Sequence, residues 1–226
     1  MAGGTGRTRD CAKTESKILA AAAGEFSRRG FAGARMDEIA RKARVNKATI
    51  YYHIGNKKTL YKSVLRKFFG GVAEQLNKKV TAAMTVEEKI HAQVSTIAEN
   101  ICSSKHISPI IMREMAAGGP NMPEEILEIM GRIMGSLRCI LEEGERGGEI
   151  RPVNPLVVHL MIVGALNFLA SGAPILKKKK RMMISGKGIS LSDPPAKIGE
   201  YVADLLLCGL KTGEPGRRRR ASSGKP

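Results

Sequence analysis

The chain has 226 residues and a formal net charge of +17, with only 4% aromatic residues and no Trp. Its core has to be assembled from Leu, Ile, Val, Ala and Met, which suits packed helices better than a sandwich of strands. A disulfide scaffold, an exported chain and a membrane-spanning chain are disfavoured. Cys11, Cys102, Cys139 and Cys208 form no Cys-x-x-Cys pair, and residues 1–14 hold no apolar run. The longest apolar stretch, residues 156–170, is interrupted by His159, Gly164 and Asn167 and falls short of the roughly 20 residues that cross a bilayer. Reduced thiols in a cytoplasmic protein are the expectation.

In chain order, a first helix is expected over residues 13–29, where Ile18, Ala22 and Phe26 form one stripe and Gly30 supplies a stop with Phe31 packed beneath. A second, residues 37–42, has an apolar face of Met36, Ile39, Ala40 and Ala43. It carries Asp37 and Glu38 early and Arg41 and Lys42 late, the order that complements the helix dipole. Val45 plugs a short turn, and Asn46 caps a third helix, residues 47–53, in which Ile50 is the one strongly apolar, inward-facing candidate. A fourth runs from Lys57 past Leu60, Val64 and Phe68 toward Val80, with Gly70 and Gly71 expected to bend it. Thr85 and Glu88 make a capping box for a fifth, which continues to about Ser103.

A sixth helix covers residues 108–117. Pro123, at a first helical position, opens a seventh, with Ile126, Ile129, Ile133, Leu137 and Ile140 in helical period up to Gly147. Asn154 and Pro155 cap an eighth, to Ala170; Asp193 and Pro194 cap a ninth, to Leu210. The long loop between these two is expected to be mobile or functional. The expected fold is therefore all-α, about nine helices. Residues 1–12 form a flexible arm, 13–62 a three-helix helix-turn-helix head, 63–211 a larger helical ligand-binding and dimerisation domain, and 212–226 a basic disordered tail.

Charge divides along the same lines. Residues 1–66 and 177–226 carry the basic excess, while 67–176 are slightly acidic. Phosphate neutralisation needs a local excess of this kind, and in the head it coincides with the helix-turn-helix. The run from Lys177 to Arg181 and the run from Arg217 to Arg220 lie among Gly, Pro and Ser without apolar periodicity, and read as solvated segments. The third helix, with Lys47, Ala48, Thr49, Tyr51, Tyr52 and His53 left over from packing, is of a size that fits the major groove of duplex DNA.

Ile39-Ala40, Val45, Thr49-Ile50-Tyr51-Tyr52-His53-Ile54, Asn56-Lys57 and Leu60 together resemble the signature of the TetR/AcrR family, over roughly residues 13–62. The resemblance implies a bacterial transcriptional regulator with double-stranded operator DNA and a small-molecule effector as partners, working as a homodimer without a membrane or a cofactor. Carried over by position, it implies that Lys47, Ala48 and Tyr51 approach base edges while Thr49, Tyr52, His53 and Lys57 hold phosphates. Two departures stand out. Ala34-Arg35 replaces a Thr near the start of the second helix, so the usual cap is missing and Arg35 is free to reach phosphate. Arg44 stands where the family's turn carries Gly, so either Arg44 takes a strain of about 1 kcal/mol or the turn is reshaped.

In the body, the eighth helix is apolar almost all round and the ninth nearly so, which requires a central position or a partner. The resemblance implies that these two helices pair with their copies as a four-helix bundle, with Leu160, Gly164, Phe168, Ile198, Tyr201, Val202 and Leu205 at the dimer interface. Met112, Met115, Met130, Met134 and Met161 offer either an adaptable apolar pocket or ordinary core filling. Asn167 and His159 are polar groups on an apolar helix, facing a ligand or an interface; Met112, Met130, Met134 and Asn167 are the candidate ligand residues. His91 and His106 lack partners at metal spacing, so no metal is expected. No nucleophile elbow, phosphate-binding Gly-rich loop or His-Glu-x-x-His motif occurs, so an enzyme with a basic head is disfavoured. A ligand-independent DNA-binding protein and an activator remain open beside a repressor released by ligand.

Overall fold

A computed structural model of the chain describes residues 4–178 and 193–212. Its first helices, α1 (Gly4–Gly33), α2 (Met36–Ala43) and α3 (Lys47–His53), pack together and against α4 (Lys57–Lys79). Ile18, Ala22 and Phe26 of α1, Ile39, Ala40 and Ala43 of α2, Ile50 of α3, and Leu60, Tyr61 and Val64 of α4 are all buried. These are the stripes that helical periodicity picks out. Three rings close this small core: Tyr61 meets Phe26 edge-on at 4.9 Å and Phe31 at 5.1 Å between centroids, geometries worth about 0.5–1.5 kcal/mol each beyond the area they bury.

The start of α1 differs from expectation. The helix begins at Gly4 rather than near Lys13, so residues 4–12 continue it instead of forming an arm; extending an existing helix costs far less than nucleating one. Gly30 does interrupt α1, with φ 69° and ψ 178°, and the chain turns once more before Gly33. The positive φ favours glycine at Gly30, and a Cβ there would also stand 2.8 Å from Cδ of Arg113 and push that flexible side chain aside.

The turn between α2 and α3 resolves the question Arg44 raised. Arg44 adopts the left-handed conformation, φ 58° and ψ 43°, and accepts the strain. Its N–H reaches the Arg41 carbonyl at 3.2 Å and the Val45 N–H reaches the Ala40 carbonyl at 3.1 Å, which satisfies the end of α2. Asn46 Oδ1 then accepts from the Thr49 N–H at 2.7 Å and Asn56 Oδ1 from the Thr59 N–H at 3.0 Å, so a side-chain cap opens both α3 and α4.

Beyond the head, α4 runs on into a body of α5 (Val86–Ser103), α6 (Ile107–Ala116), α7 (Glu124–Arg146), α8 (Pro155–Lys178) and α9 (Pro195–Leu210). Thr85 and Glu88 form the expected capping box of α5. Gly70 and Gly71 lie within an uninterrupted α4, and Pro123 is the N-cap of α7 rather than its first residue. The described residues contain these nine helices and one isolated bridge, between Ile150 and Lys211.

The central strut is α5, and α9 lies so close to it that a Cβ on Gly199 would be 2.7 Å from Cα of Ser95. Its apolar excess is explained by three faces on α8. Val158, Ile162 and Leu166 are buried in the core; His159, Val163 and Asn167 face a cavity; Val157, Met161 and Phe168 are exposed. The helix also continues past Ala170, so its 18-residue stretch Pro155–Gly172, of mean hydropathy 1.7, is long and apolar enough by composition to cross a membrane, unlike the shorter run expected. Here α8 packs on α5, α6 and α7. Lys179 to Arg181, the rest of the 179–192 loop and the Arg217 to Arg220 run lie outside the described residues.

Candidate nucleic-acid interface and effector cavity

In α3, seven residues long, Ile50 is the one buried side chain. Tyr51 is 49% exposed and Tyr52 87% exposed, a large aromatic surface open to solvent. Ala48 is exposed beside them, and Arg35 is exposed at the start of α2, where it makes no side-chain cap. Arg44, in the left-handed turn that ends α2, is another exposed cation.

Several candidate contacts are already engaged within the chain. Lys47 Nζ lies 3.0 Å from Asp37 Oδ1, an ion pair that raises the lysine's proton affinity through hydrogen bond and charge. The Thr49 hydroxyl donates to Asn46 Oδ1 at 2.7 Å, so its first task is to reinforce the cap. His53 Nδ1 lies 3.3 Å from Cys11 Sγ and its ring meets that of Tyr52 edge-on. Lys57 Nζ donates to the Ala32 carbonyl at 2.9 Å and sits 5.0 Å over the Phe31 ring. Its expected role of gripping phosphate is therefore at least shared with tying α4 to the end of α1.

Beneath the interface lies a charge cluster that sequence spacing did not reveal. Glu25 is fully buried on α1, with Lys42 of α2 at 2.6 Å, Arg28 at 3.2 Å and Arg29 at 3.0 Å. Burial alone would raise this carboxyl's pKa; hydrogen bonds from Lys42 and Arg28 outweigh it and hold the group below the usual carboxylate range. The cluster clamps α2 to α1, and its signal was hidden because Glu25 and Lys42 are distant in sequence.

The body encloses a cavity of about 320 Å³ between α4, α5, α6, α7 and α8. Met112, Met130, Met134 and Asn167, the candidate ligand residues, all line it, and Met115 and His159 join them. Met161 does not, because it sits on the exposed side of α8. Phe68, Phe69 and Val72 from α4 and Ile97 and Ile101 from α5 complete the wall. These were missed because a cavity-lining apolar residue and a core residue leave the same mark in sequence.

One helix bridges cavity and head. On α6, Ile111, Met112 and Met115 face the cavity, while Glu114 accepts a 3.0 Å hydrogen bond from the Tyr61 hydroxyl of α4. Glu114 is buried, and Asn121 donates to both of its oxygens at 3.2 Å. Burial, the Glu114 charge and the hydrogen bond push the Tyr61 hydroxyl's pKa upward, so it stays a donor. The neighbouring Arg113 lies over Gly30.

Of the residues expected at a dimer interface, Phe168 is 70% exposed, Leu205 58% and Tyr201 39% on α8 and α9, none of them covered by the described residues. Val202 is half-buried. Leu160 and Gly164 are exposed and also line the cavity mouth. Ile198 is a correction: it is only 5% exposed, because the tight approach of α9 to α5 turns it into the chain's own core. His91, without a partner in sequence, gains Asp204 of α9 at 3.4 Å.

Residues 18–64 match the model of the bacterial regulatory proteins of the tetR family, and residues 83–171 match the tetracyclin repressor-like C-terminal domain. The chain belongs to the TetR family. Its relatives include the HTH-type transcriptional repressor NicS of Pseudomonas putida, 26% identical over 91% of this chain and 96% of that one. An HTH-type transcriptional repressor of Streptomyces coelicolor is 29% identical over 79% of this chain and 87% of its own length. The fold of this TetR-family regulator is shared by FadR from Bacillus subtilis, solved in complex with stearoyl-CoA (TM-score 0.66, 20% identity, covering 86% of this chain and 98% of that one). A tetR-family protein from Rhodococcus RHA1 is also similar, at a TM-score of 0.70 and 16% identity over 89% and 99% of the two chains.

Proposed function

We propose that this TetR-family chain is a cytoplasmic, non-enzymatic homodimeric repressor that leaves its operator when a small apolar or amphipathic molecule enters the body. The observation that carries the reading is α3, a two-turn helix with one buried anchor, Ile50, whose Lys47, Ala48, Tyr51 and Tyr52 are exposed on a basic head. Lys47, Ala48 and Tyr51 are assigned to base edges. Arg35, Tyr52, His53 and, in part, Thr49 and Lys57 are assigned to phosphates. The exposure of Phe168, Tyr201 and Leu205 supports pairing of α8 and α9 with a second copy, which would set two copies of α3 about 34 Å apart on successive major-groove faces.

The connection between cavity and DNA runs through α6. A ligand pressing on Met112 and Met115 displaces the helix that holds Tyr61 through Glu114, and Tyr61 lies one turn into α4, within the aromatic core of the head. A ligand that binds the spread state more tightly by about 2–3 kcal/mol changes operator occupancy roughly 30- to 150-fold. FadR, which shares this fold, was solved in complex with stearoyl-CoA, and that supports a ligand-responsive reading.

The test is a gel-shift titration against DNA upstream of the chain's own coding region at two salt concentrations, with palindromic and random competitors. A repressor prefers the palindrome by about a thousandfold or more. Equal affinity for random DNA would point instead to a ligand-independent DNA-binding protein and overturn the assignment. Reporter transcription that rises with the protein, rather than falls, would make it an activator.

A further inference from the structure

The effector cavity has a wall of unusual uniformity. Among the described residues that line it there is no Asp, Glu, Lys or Arg; Phe68, Ile97, Met130 and their neighbours leave His159 and Asn167 as the polar side chains of α8 within it. A carboxylate or ammonium group placed among such residues would lose its hydration without gaining a partner, a penalty of several kcal/mol even after relaxation. The cavity therefore discriminates by charge before it discriminates by shape.

Neither polar side chain is fully spent on the protein. His159 Nδ1 is buried with no hydrogen-bond partner among the described residues, an arrangement native structures avoid unless a ligand or water completes it. Burial also depresses the imidazole's proton affinity, which keeps the ring neutral and able to donate or accept at that nitrogen. Asn167 is buried and gives one amide hydrogen to the Val163 carbonyl at 2.7 Å, leaving a second hydrogen for another acceptor. His159, Val163 and Asn167 follow one another at intervals of four residues along one face of α8, so the two polar groups stand roughly 12 Å apart along the helix axis.

We infer that the effector is an elongated, uncharged molecule, apolar along its length, with a hydroxyl or carbonyl oxygen hydrogen-bonded by His159 and room for a second neutral oxygen group at Asn167. The inference rests on the effector-cavity reading above and narrows it to one chemical class. A molecule of this kind fits within about 320 Å³ and brings the missing partner to His159 without burying a charge. Charged amphiphiles are admitted only with their heads outside the mouth at Leu156 and Leu160, which forfeits the His159 contact.

The experiment uses the full chain and ligands of matched apolar size. Naphthalene, which has neither charge nor hydrogen-bonding group, reports the cavity by its own fluorescence; decanol, decanoate and decylammonium compete against it at neutral pH. Decanol is expected to bind at least tenfold more tightly than either ion. His159→Phe is expected to weaken decanol about tenfold more than it changes naphthalene, because the imidazole's hydrogen bond is lost while an apolar ring still fills its place in the wall.

Decanoate or decylammonium binding as tightly as decanol overturns the ligand class, and so does a His159→Phe variant that loses decanol and naphthalene in equal measure or loses neither. The underlying cavity reading fails differently. If naphthalene does not bind the wild-type chain, or binds a Met134→Trp variant equally well, the cavity is not the site and the inference falls with it.

Discussion

The head leaves Tyr52 87% exposed and Arg35, Arg44 and Lys47 exposed as well, whereas the cavity in the body has no charged side chain among the described residues of its wall. The same chain thus presents two surfaces matched to opposite partners. One is cationic and hydrated, suited to a polyanion whose affinity comes from counterion release. The other is dry and neutral, suited to a ligand that gains by leaving water. Polar groups follow the division. The buried Glu25 is neutralised by three cations within the head, while the body's buried Glu114 is held by hydrogen bonds from Tyr61 and Asn121 at the seam between the two.

The largest expected effect separates the two regions. Phe26→Ala removes the ring at the centre of the head's aromatic cluster and should cost about 3–5 kcal/mol. DNA binding is expected to be lost in gel shifts while naphthalene still enters the body. Loss of both together would show that head and body fold as one cooperative unit. Next in size is Gly199→Ala, which forces a methyl against Ser95 and should destabilise the body by about 1–3 kcal/mol, a fall of several degrees in thermal midpoint. An unchanged midpoint would mean that α9 shifts freely on α5.

Glu25 gives the head its own acid sensitivity. Its folded pKa lies below 4.5, so its stabilisation is complete above the unfolded carboxyl's pKa, near 4.5, and is lost as pH falls through the folded value. Glu25→Gln should flatten the stability curve of the chain below about pH 4.5 in acid titrations followed by circular dichroism. Smaller still, Asp37→Asn releases Lys47 from its ion pair. Affinity for random DNA should rise a few-fold, with the salt slope steeper by about one unit if the freed ammonium takes a phosphate. The smallest change is stabilising. A Cβ at Gly70 or Gly71 would meet nothing within 4 Å, so alanine at either should add up to about 1 kcal/mol. If those variants also lose ligand-induced release from DNA, the glycines were kept for flexibility in α4.

The head was largely legible in the sequence because its determinants are local. Apolar spacing set α2 from Met36, a side-chain cap at Asn46 started α3, and the scarcity of apolar residues in α3 left its outer face for another partner. Asp37 beside Lys47 and Lys57 beside Ala32 were not legible, since each joins residues on different elements. In the body, the Met-rich candidates did gather around one cavity, but α4 and α5 contributed as much of its wall, and Met161 turned away from it.

By itself the sequence determined most of the helices, the caps at Asn46 and Thr85, the exposed character of α3 and the family to which the chain belongs, because these depend on hydrogen bonds and apolar periodicity within a few residues. Tertiary structure alone decided which face of α8 lines a cavity, that Ile198 belongs to the core rather than to a partner, and that Tyr61 meets Glu114 across the seam. Those outcomes depend on how closely α5, α6 and α9 approach one another, and a one-dimensional pattern records which side of a helix is apolar but not what that side will face.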